Sequence, residues 1–293
     1  MAIKPTAHVV NTTANTPGKV YLVGAGPSSV DLITVRGAKL LWQADIVFYD
    51  ALVDPEMLTL CPQALQIEVG KRCGKLSSAQ QFINQRLVDA AQKHRVIVHL
   101  KGGDPMLFGR ADEEIQTLKA AGIAVEVVPG ITVALAGAVS IQQSLTLRGM
   151  SRSVAFVTLA QGTEGTEHTA PRQVIQPLPN PSADTLVYYM GRKDAACIAQ
   201  QLIEQSPNQK SDTPVQILEA VSTARERLWV STLAELAKGK ADPWFDSSSP
   251  ALIMIGEALR NKKENSTSLE GSGSEIDNGL QDSRVFPNGR RSA

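Results

Sequence analysis

Two glycines followed by an acid, Gly102-Gly103-Asp104, stand just after the apolar run Val96-Ile97-Val98-His99-Leu100. The run is short and mostly β-branched, which predicts a strand covered on both faces in a parallel sheet. Gly102 and Gly103 permit positive φ and close backbone approach, and Pro105 rules out a continuing central strand. The chain must therefore turn out at the strand's carboxyl end, the edge on which open α/β sheets hold ligands. Other charged residues reach the same edge: Asp50 follows Ile46-Val47-Phe48-Tyr49, and Lys71 and Arg72 follow Val69-Gly70. Singly, Asp50 reads equally well as an Asx turn, and the two cations as a solvated loop. Together with the glycine loop they describe a ligand site.

A second glycine turn leaves the ligand open. Gly24-Ala25-Gly26 follows the strand Lys19–Val23, and Asp50 stands at the distance expected of an acid binding a dinucleotide ribose. That pattern describes a nicotinamide-dependent oxidoreductase. Against it, Ser29 occupies the third glycine position, and Pro27 removes a backbone N–H from the phosphate cradle.

The elements that must position these residues alternate between strand and helix patterns. A helix is predicted from about Arg110 to Ala121, with Asp112, Glu113 and Glu114 in its first turn, Lys119 in its last and Gly122 just past its end. Ser78-x-x-Gln81 forms a capping box for a helix reaching His94. Val125–Val128 exits through Pro129-Gly130, and Val133 to Ile141 is a small-residue helix. Past a boundary near Gly149, strands at Ser153–Thr158, Thr185–Gly191, Val215–Glu219, Arg227–Ser231 and Ala251–Gly256 continue an alternating sheet-and-helix pattern. The fold class is α/β with two lobes, about 18–150 and 151–260, after a loose polar arm (1–17) and before a disordered, aperiodic tail (261–293). Gln161 to Ser182 is a long polar connection of the kind that forms lids or stays disordered.

Composition narrows the function. A chain of 293 residues, 43% apolar, can build two such lobes. Lys+Arg and Asp+Glu both number 29, so no global field recruits nucleic acid or an anionic membrane, and an anionic substrate must be held by clustered cations. Cys61, Cys73 and Cys197 lack C-x-x-C spacing and fit reduced thiols. No apolar run is long enough for a membrane span, and residues 1–17 lack a signal-peptide core, which places the protein in the cytoplasm. His8, His94, His99 and His168 form no metal-ligand spacing. His99 alternates with Ile97 and Lys101 and reads as a hydrogen-bonded sheet histidine rather than a ligand or base.

Leu100-Lys-Gly-Gly-Asp-Pro-x-x-Phe-Gly-Arg110 resembles the central motif of the tetrapyrrole methylases, specifically the uroporphyrinogen-III C-methyltransferases. The resemblance runs from about Gly18 to Gly256 through Tyr49-Asp50, Val69-Gly-Lys-Arg72, Pro129-Gly-Ile-Thr-x-Ala134, Ser144-Leu-Thr-Leu-Arg-Gly149 and Tyr189-Met-Gly191. Ser28, Ser29 and Leu147 depart from the family pattern, which has Gly, Asp and His there. The resemblance implies a two-lobed tetrapyrrole methylase fold, each lobe a sheet flanked by helices, with the active site in the cleft between them. It implies S-adenosyl-L-methionine as methyl donor, no metal, a homodimer, and uroporphyrinogen III as substrate. The product would be precorrin-2, formed via precorrin-1 on the way to sirohaem or cobalamin. A methylase of another precorrin and a weakly active donor-binding descendant are the alternatives that the departures leave standing.

Carried over residue by residue, the family's donor site falls on Pro27, Gly102, Gly103, Asp104, Leu107, Thr132, Val133, Met190 and Val221. Its proton acceptor and donor match Asp50 and Lys71. Arg110, which also counts as catalytic, joins Glu113, Arg148 and Met190 as residues at the tetrapyrrole, with Arg72 and Arg152 as further cations for its carboxylates.

Overall fold

Five short runs build the first sheet: β1 (Lys19–Gly24), β2 (Ile46–Tyr49), β3 (Leu65–Glu68), β4 (Val96–Lys101) and β5 (Val125–Val128). They lie in the order β3-β2-β4-β1-β5, and every neighbouring pair is parallel. Parallel neighbours need long crossovers, and the amphipathic stretches between the strands supply them as α1 (Val35–Gln43), α2 (Leu76–Ala91) and α3 (Ala111–Ala120). Leu41 of α1 seals one face of the sheet with Val23, Val98 and Leu100, while Leu87 of α2 and Leu118 of α3 seal the other with Leu22 and Ile97. The computed structural model describes residues 16–69, 76–159 and 181–260. The expectations for the N-terminal arm, Lys71, Arg72, Cys73, nearly all of the 161–182 connection and the C-terminal tail lie outside those residues.

The second sheet holds β6 (Val154–Thr158), β7 (Thr185–Tyr189), β8 (Pro214–Glu219), β9 (Arg227–Thr232) and β10 (Ala251–Gly256), in the order β6-β7-β10-β8-β9. Only β6 and β7 run parallel; β10 is antiparallel to both its neighbours, and β8 and β9 form an antiparallel hairpin. The alternation of strand and helix expected here therefore breaks at Ala220–Glu226, a stretch too short for a crossover helix. One face is covered by α4 (Val133–Ser140), whose Ala134 and Ala136 pack against Val187, Leu218 and Leu252. The other is covered by α5 (Ala195–Gln205) and α6 (Leu233–Ala237). Small residues let α4 approach closely: a Cβ on Gly137 would lie 3.2 Å from Leu252.

Ser78 is not a helix cap. The helix already runs at Leu76, which puts Ser78 inside its first turn rather than at the extended position a capping box requires. At its other end α2 stops at Ala91, whose carbonyl accepts from Gly18 N at 2.7 Å, so the chain leading into β1 terminates it before His94. Among the described residues no helix is long and apolar enough to cross a membrane.

Candidate active site

Because all strands of the first sheet are parallel, the chain leaves β1, β2, β4 and β5 on one edge. Gly26 and Gly103 meet there in an antiparallel bridge, Gly103 N donating to Gly26 O at 2.8 Å and Gly26 N to Gly103 O at 3.2 Å. Gly24 is pressed against the β5 exit, where a Cβ would come within 2.6 Å of Gly130 Cα. Gly103 differs: its φ is +68°, and a Cβ there would meet only Thr132 Cα, at 4.0 Å. The glycines of the first turn thus serve to seat one loop on another. The helix that should receive a dinucleotide pyrophosphate begins only at Val35, well past Gly26 and after a 3-10 turn at Val30–Leu32, so the dinucleotide reading loses its phosphate cradle.

Two carboxylates brace this loop. Asp104 accepts from Met106 N at 2.8 Å through Oδ1 and from Gly130 N at 2.9 Å through Oδ2, stapling the β4 exit to the β5 exit. Asp50 accepts from Leu52 N at 2.8 Å, the Asx turn weighed from sequence, and from Gly102 N at 3.3 Å. The turn and the neighbour of the glycine loop are therefore one and the same residue. Each carboxylate oxygen keeps a second lone pair. Leu107 follows within the loop, its N–H donating to Asp104 O at 3.3 Å.

At the far end of the loop, Arg110 takes a left-handed conformation (φ +55°) just before α3. Its Nε and Nη2 donate to the two oxygens of Glu113 at 2.6 and 2.7 Å, a fork-to-fork pair that is partly exposed. Phe108 shares the left-handed φ of +55°. Its ring meets that of Tyr189, the last residue of β7, edge-on at 5.0 Å, and Phe156 of β6 meets the same ring at 6.1 Å.

Tyr189 ties the two sheets together. Its hydroxyl lies 2.6 Å from Thr132 Oγ1 and accepts from Ala134 N at 3.3 Å, at the start of α4. Burial pushes the phenol's pKa up, against the opposing pull of those two partners. Met190 follows with φ +56° and an exposed thioether. Val133 is half-buried in the first turn of α4, and Val221, after β8, is buried in the same cluster as Ala134. Pro27 is buried beside Gly26. Arg148 is exposed in the turn closed by the Leu147–Ser151 bridge, and Arg152 N donates to Asp184 at 2.8 Å. Described contacts thus join Asp50 with Gly102, Asp104 with the β5 exit, Arg110 with Glu113, and Thr132 with the residue before Met190; no such contact links Arg148 to this group.

Sequence reasoning missed a buried ion cluster beneath the loop. Glu114, fully buried, accepts from Lys101 Nζ at 2.6 Å and Gln80 Nε2 at 3.0 Å on one oxygen, and its other oxygen lies 3.1 Å from His99 Nδ1. Burial pushes the Glu114 carboxyl up, but His99 and Lys101 together overcome this and hold it at about 2. The available signal was Lys101 itself, a cation ending an apolar strand. From its place in the sequence Glu114 reads only as a first-turn acid that suits the helix dipole. His99 is the hydrogen-bonded sheet histidine expected of it.

Residues 19–237 match the model of the family described as Tetrapyrrole (Corrin/Porphyrin) Methylases. The siroheme synthase of Pseudomonas fluorescens (strain SBW25) is 42% identical over 246 residues, which are 83% of this chain and 50% of that protein. The siroheme synthase of Psychrobacter sp. (strain PRwf-1) is 41% identical over 247 residues, 83% of this chain and 48% of that protein. The chain spans about half the length of these curated relatives. Among solved structures, uroporphyrin III C-methyl transferase from Thermus thermophilus in its native form is 34% identical with a TM-score of 0.68, covering 84% of this chain and 96% of that one. The same Thermus enzyme complexed with S-adenyl homocysteine gives 35% and 0.67, covering 83% and 94%.

Proposed function

Since the chain belongs to the tetrapyrrole (corrin/porphyrin) methylase family, we propose that it methylates pyrrole carbons of uroporphyrinogen III with S-adenosyl-L-methionine, giving precorrin-2 through precorrin-1. The observation that carries this reading is Gly103. Its left-handed backbone leaves the Cβ side open but for Thr132 Cα at 4.0 Å, the opening a nucleoside needs to lie against main chain. A Cβ there would fill that opening. The residues present therefore fit the donor.

Bound there, the donor supplies a methyl already activated on a sulfonium. What remains for the chain is in-line alignment and exclusion of water, and alignment alone can offset roughly 7–11 kcal/mol of barrier. Gly102, Gly103, Asp104, Leu107, Thr132, Val133, Met190, Pro27 and Val221 hold the donor, with Asp104 using its remaining lone pairs on ribose hydroxyls. Carbon attack makes a pyrrole cation that must lose a proton. Asp50, held against Gly102 N, is the acceptor, and Lys71 is the matching donor. Arg110, set by Glu113, and Arg148 meet the substrate's carboxylates. Each such pairing contributes roughly 1.5–3 kcal/mol where water is excluded.

The reading extends to two lobes, about 18–150 and 151–260, with the substrate between them, and to a cytoplasmic homodimer whose product goes on to sirohaem or cobalamin. The relatives' name, siroheme synthase, supports the first of those destinations. The test incubates pure protein with uroporphyrinogen III and methyl-labelled donor. Two labels on the tetrapyrrole are expected; a tetrapyrrole left unlabelled under conditions where a Thermus enzyme control labels it refutes the proposal.

A further inference from the structure

We infer that Glu114 is a positioning residue that sets the Gly102–Arg110 loop from beneath, by joining the strand end that precedes the loop to the helix that follows it. This rests on the proposed methyl transfer only for its catalytic consequence.

The loop leaves β4 at Lys101 and enters α3 at Ala111, so Lys101 and Glu114 are the buried groups flanking its two ends. Lys101 Nζ reaches Glu114 at 2.6 Å, and its stem runs under the loop, 3.4 Å from where a Cβ on Gly109 would stand. The Lys101 carbonyl accepts from Ala25 N at 2.8 Å, which ties the same residue to the first glycine turn. Behind Glu114 the hydrogen bonds continue through Gln80 to Asn84 at 2.9 Å, and from Asn84 to Thr117 at 3.1 Å. Thr117 closes back on the carbonyl of Glu113, the residue that forks Arg110.

Stability alone does not account for such a cluster. A carboxylate and an ammonium taken out of water lose hydration, and apolar replacements of similar volume are often neutral or better. The loop, however, needs an outside constraint. Gly103, Phe108 and Arg110 all hold left-handed φ within eight residues, and side-chain-bearing residues stay in that region only when their surroundings over-determine it. The pair clamps both ends of this stretch.

The test replaces the charges by apolar groups in K101M/E114L, with Glu114→Gln as the milder variant. Three quantities are measured in the full chain: melting temperature, amide hydrogen exchange of residues 102–110, and kcat and KM for uroporphyrinogen III beside wild type. The expected result is a folded K101M/E114L whose melting temperature moves by a few degrees at most. Its 102–110 amides should exchange at least tenfold faster, with the β1 and β4 amides unchanged, and its kcat should fall at least tenfold. Glu114→Gln should shift exchange in the same direction by a smaller factor and remain available if the double variant fails to fold. Unchanged exchange at 102–110 in a folded variant overturns the inference. If wild type does not methylate uroporphyrinogen III, the proposed function fails, while the exchange result still decides the role of Glu114.

Discussion

Gly26 and Gly103 exchange both of their backbone hydrogen bonds, so the two glycine turns of the first sheet behave as one structural piece. That pairing sets different consequences for the two residues. A Cβ on Gly26 would lie 3.2 Å from Leu32 O, whereas one on Gly103 would meet only Thr132 Cα, at 4.0 Å. Gly103→Val should therefore leave a soluble, folded protein and reduce S-adenosylhomocysteine affinity at least a hundredfold. Gly26→Val should damage donor binding no more than that. Titration calorimetry with S-adenosylhomocysteine and NADH checks both: tight NADH binding lost in Gly26→Val but kept in Gly103→Val would reverse the assignment.

Arg110→Leu removes the partner of Glu113 and leaves a carboxylate facing a polyanionic substrate, so its effect should exceed that of Arg148→Leu, which strips no described carboxylate of its partner. We expect KM for the tetrapyrrole to rise about ten- to a hundredfold in Arg110→Leu and less in Arg148→Leu, with donor affinity nearly intact. Unaltered tetrapyrrole binding in both, measured by calorimetry, would remove these arginines from the substrate site.

Tyr189→Phe keeps the ring contacts to Phe108 and Phe156 but deletes the hydroxyl shared by Thr132 and Ala134 N. Losing that hydroxyl strands a helix-terminal N–H and should lower unfolding free energy by about 1–2 kcal/mol. Denaturant titration reads it directly, and an unmoved midpoint with unchanged slope would show that the link carries no stability.

Acid should find Glu114. Its folded-state value of about 2 lies below the ordinary 4.5, so the stabilisation is complete above pH 4.5 and disappears as pH falls towards 2. In that window protonation leaves the buried Lys101 ammonium without its counter-ion. Wild type should lose a few kcal/mol between pH 4.5 and 2, while Glu114→Gln, weaker at neutral pH, should show a shallower slope there. Parallel slopes in the two proteins would place the acid transition elsewhere.

The parallel sheet was legible because β-branched runs and glycine exits mark buried strands and their ends. The β2 and β10 spans match the residues expected of them, and the β4 run was recognised with Lys101 left just outside it. The hairpin of the second sheet was not legible, since β8 and β9 carry the same apolar character whether or not a helix joins them. Residue types located the loop but not its bracing. Asp104 reads as a ligand-facing acid, and nothing in its neighbours announces that Gly130 N, distant in sequence, lies within reach. Glu114 looks like any acid at a helix start until packing turns it inward. Nothing around Tyr189 in the sequence marks its hydroxyl as a link, because that group's partners come from another element.

Phe108, Arg110 and Met190 hold side chains in backbone conformations that glycine adopts without penalty. Glycine at any of the three would gain up to about 1 kcal/mol by relaxing the main chain, after the added freedom of the unfolded chain is subtracted. At Phe108 and Arg110 the lost contacts with Tyr189 and Glu113 offset that gain, whereas the Met190 side chain is exposed. Directed evolution for heat survival without an activity screen would therefore reach Met190 first, and a hardier lineage would shed the thioether while keeping its fold.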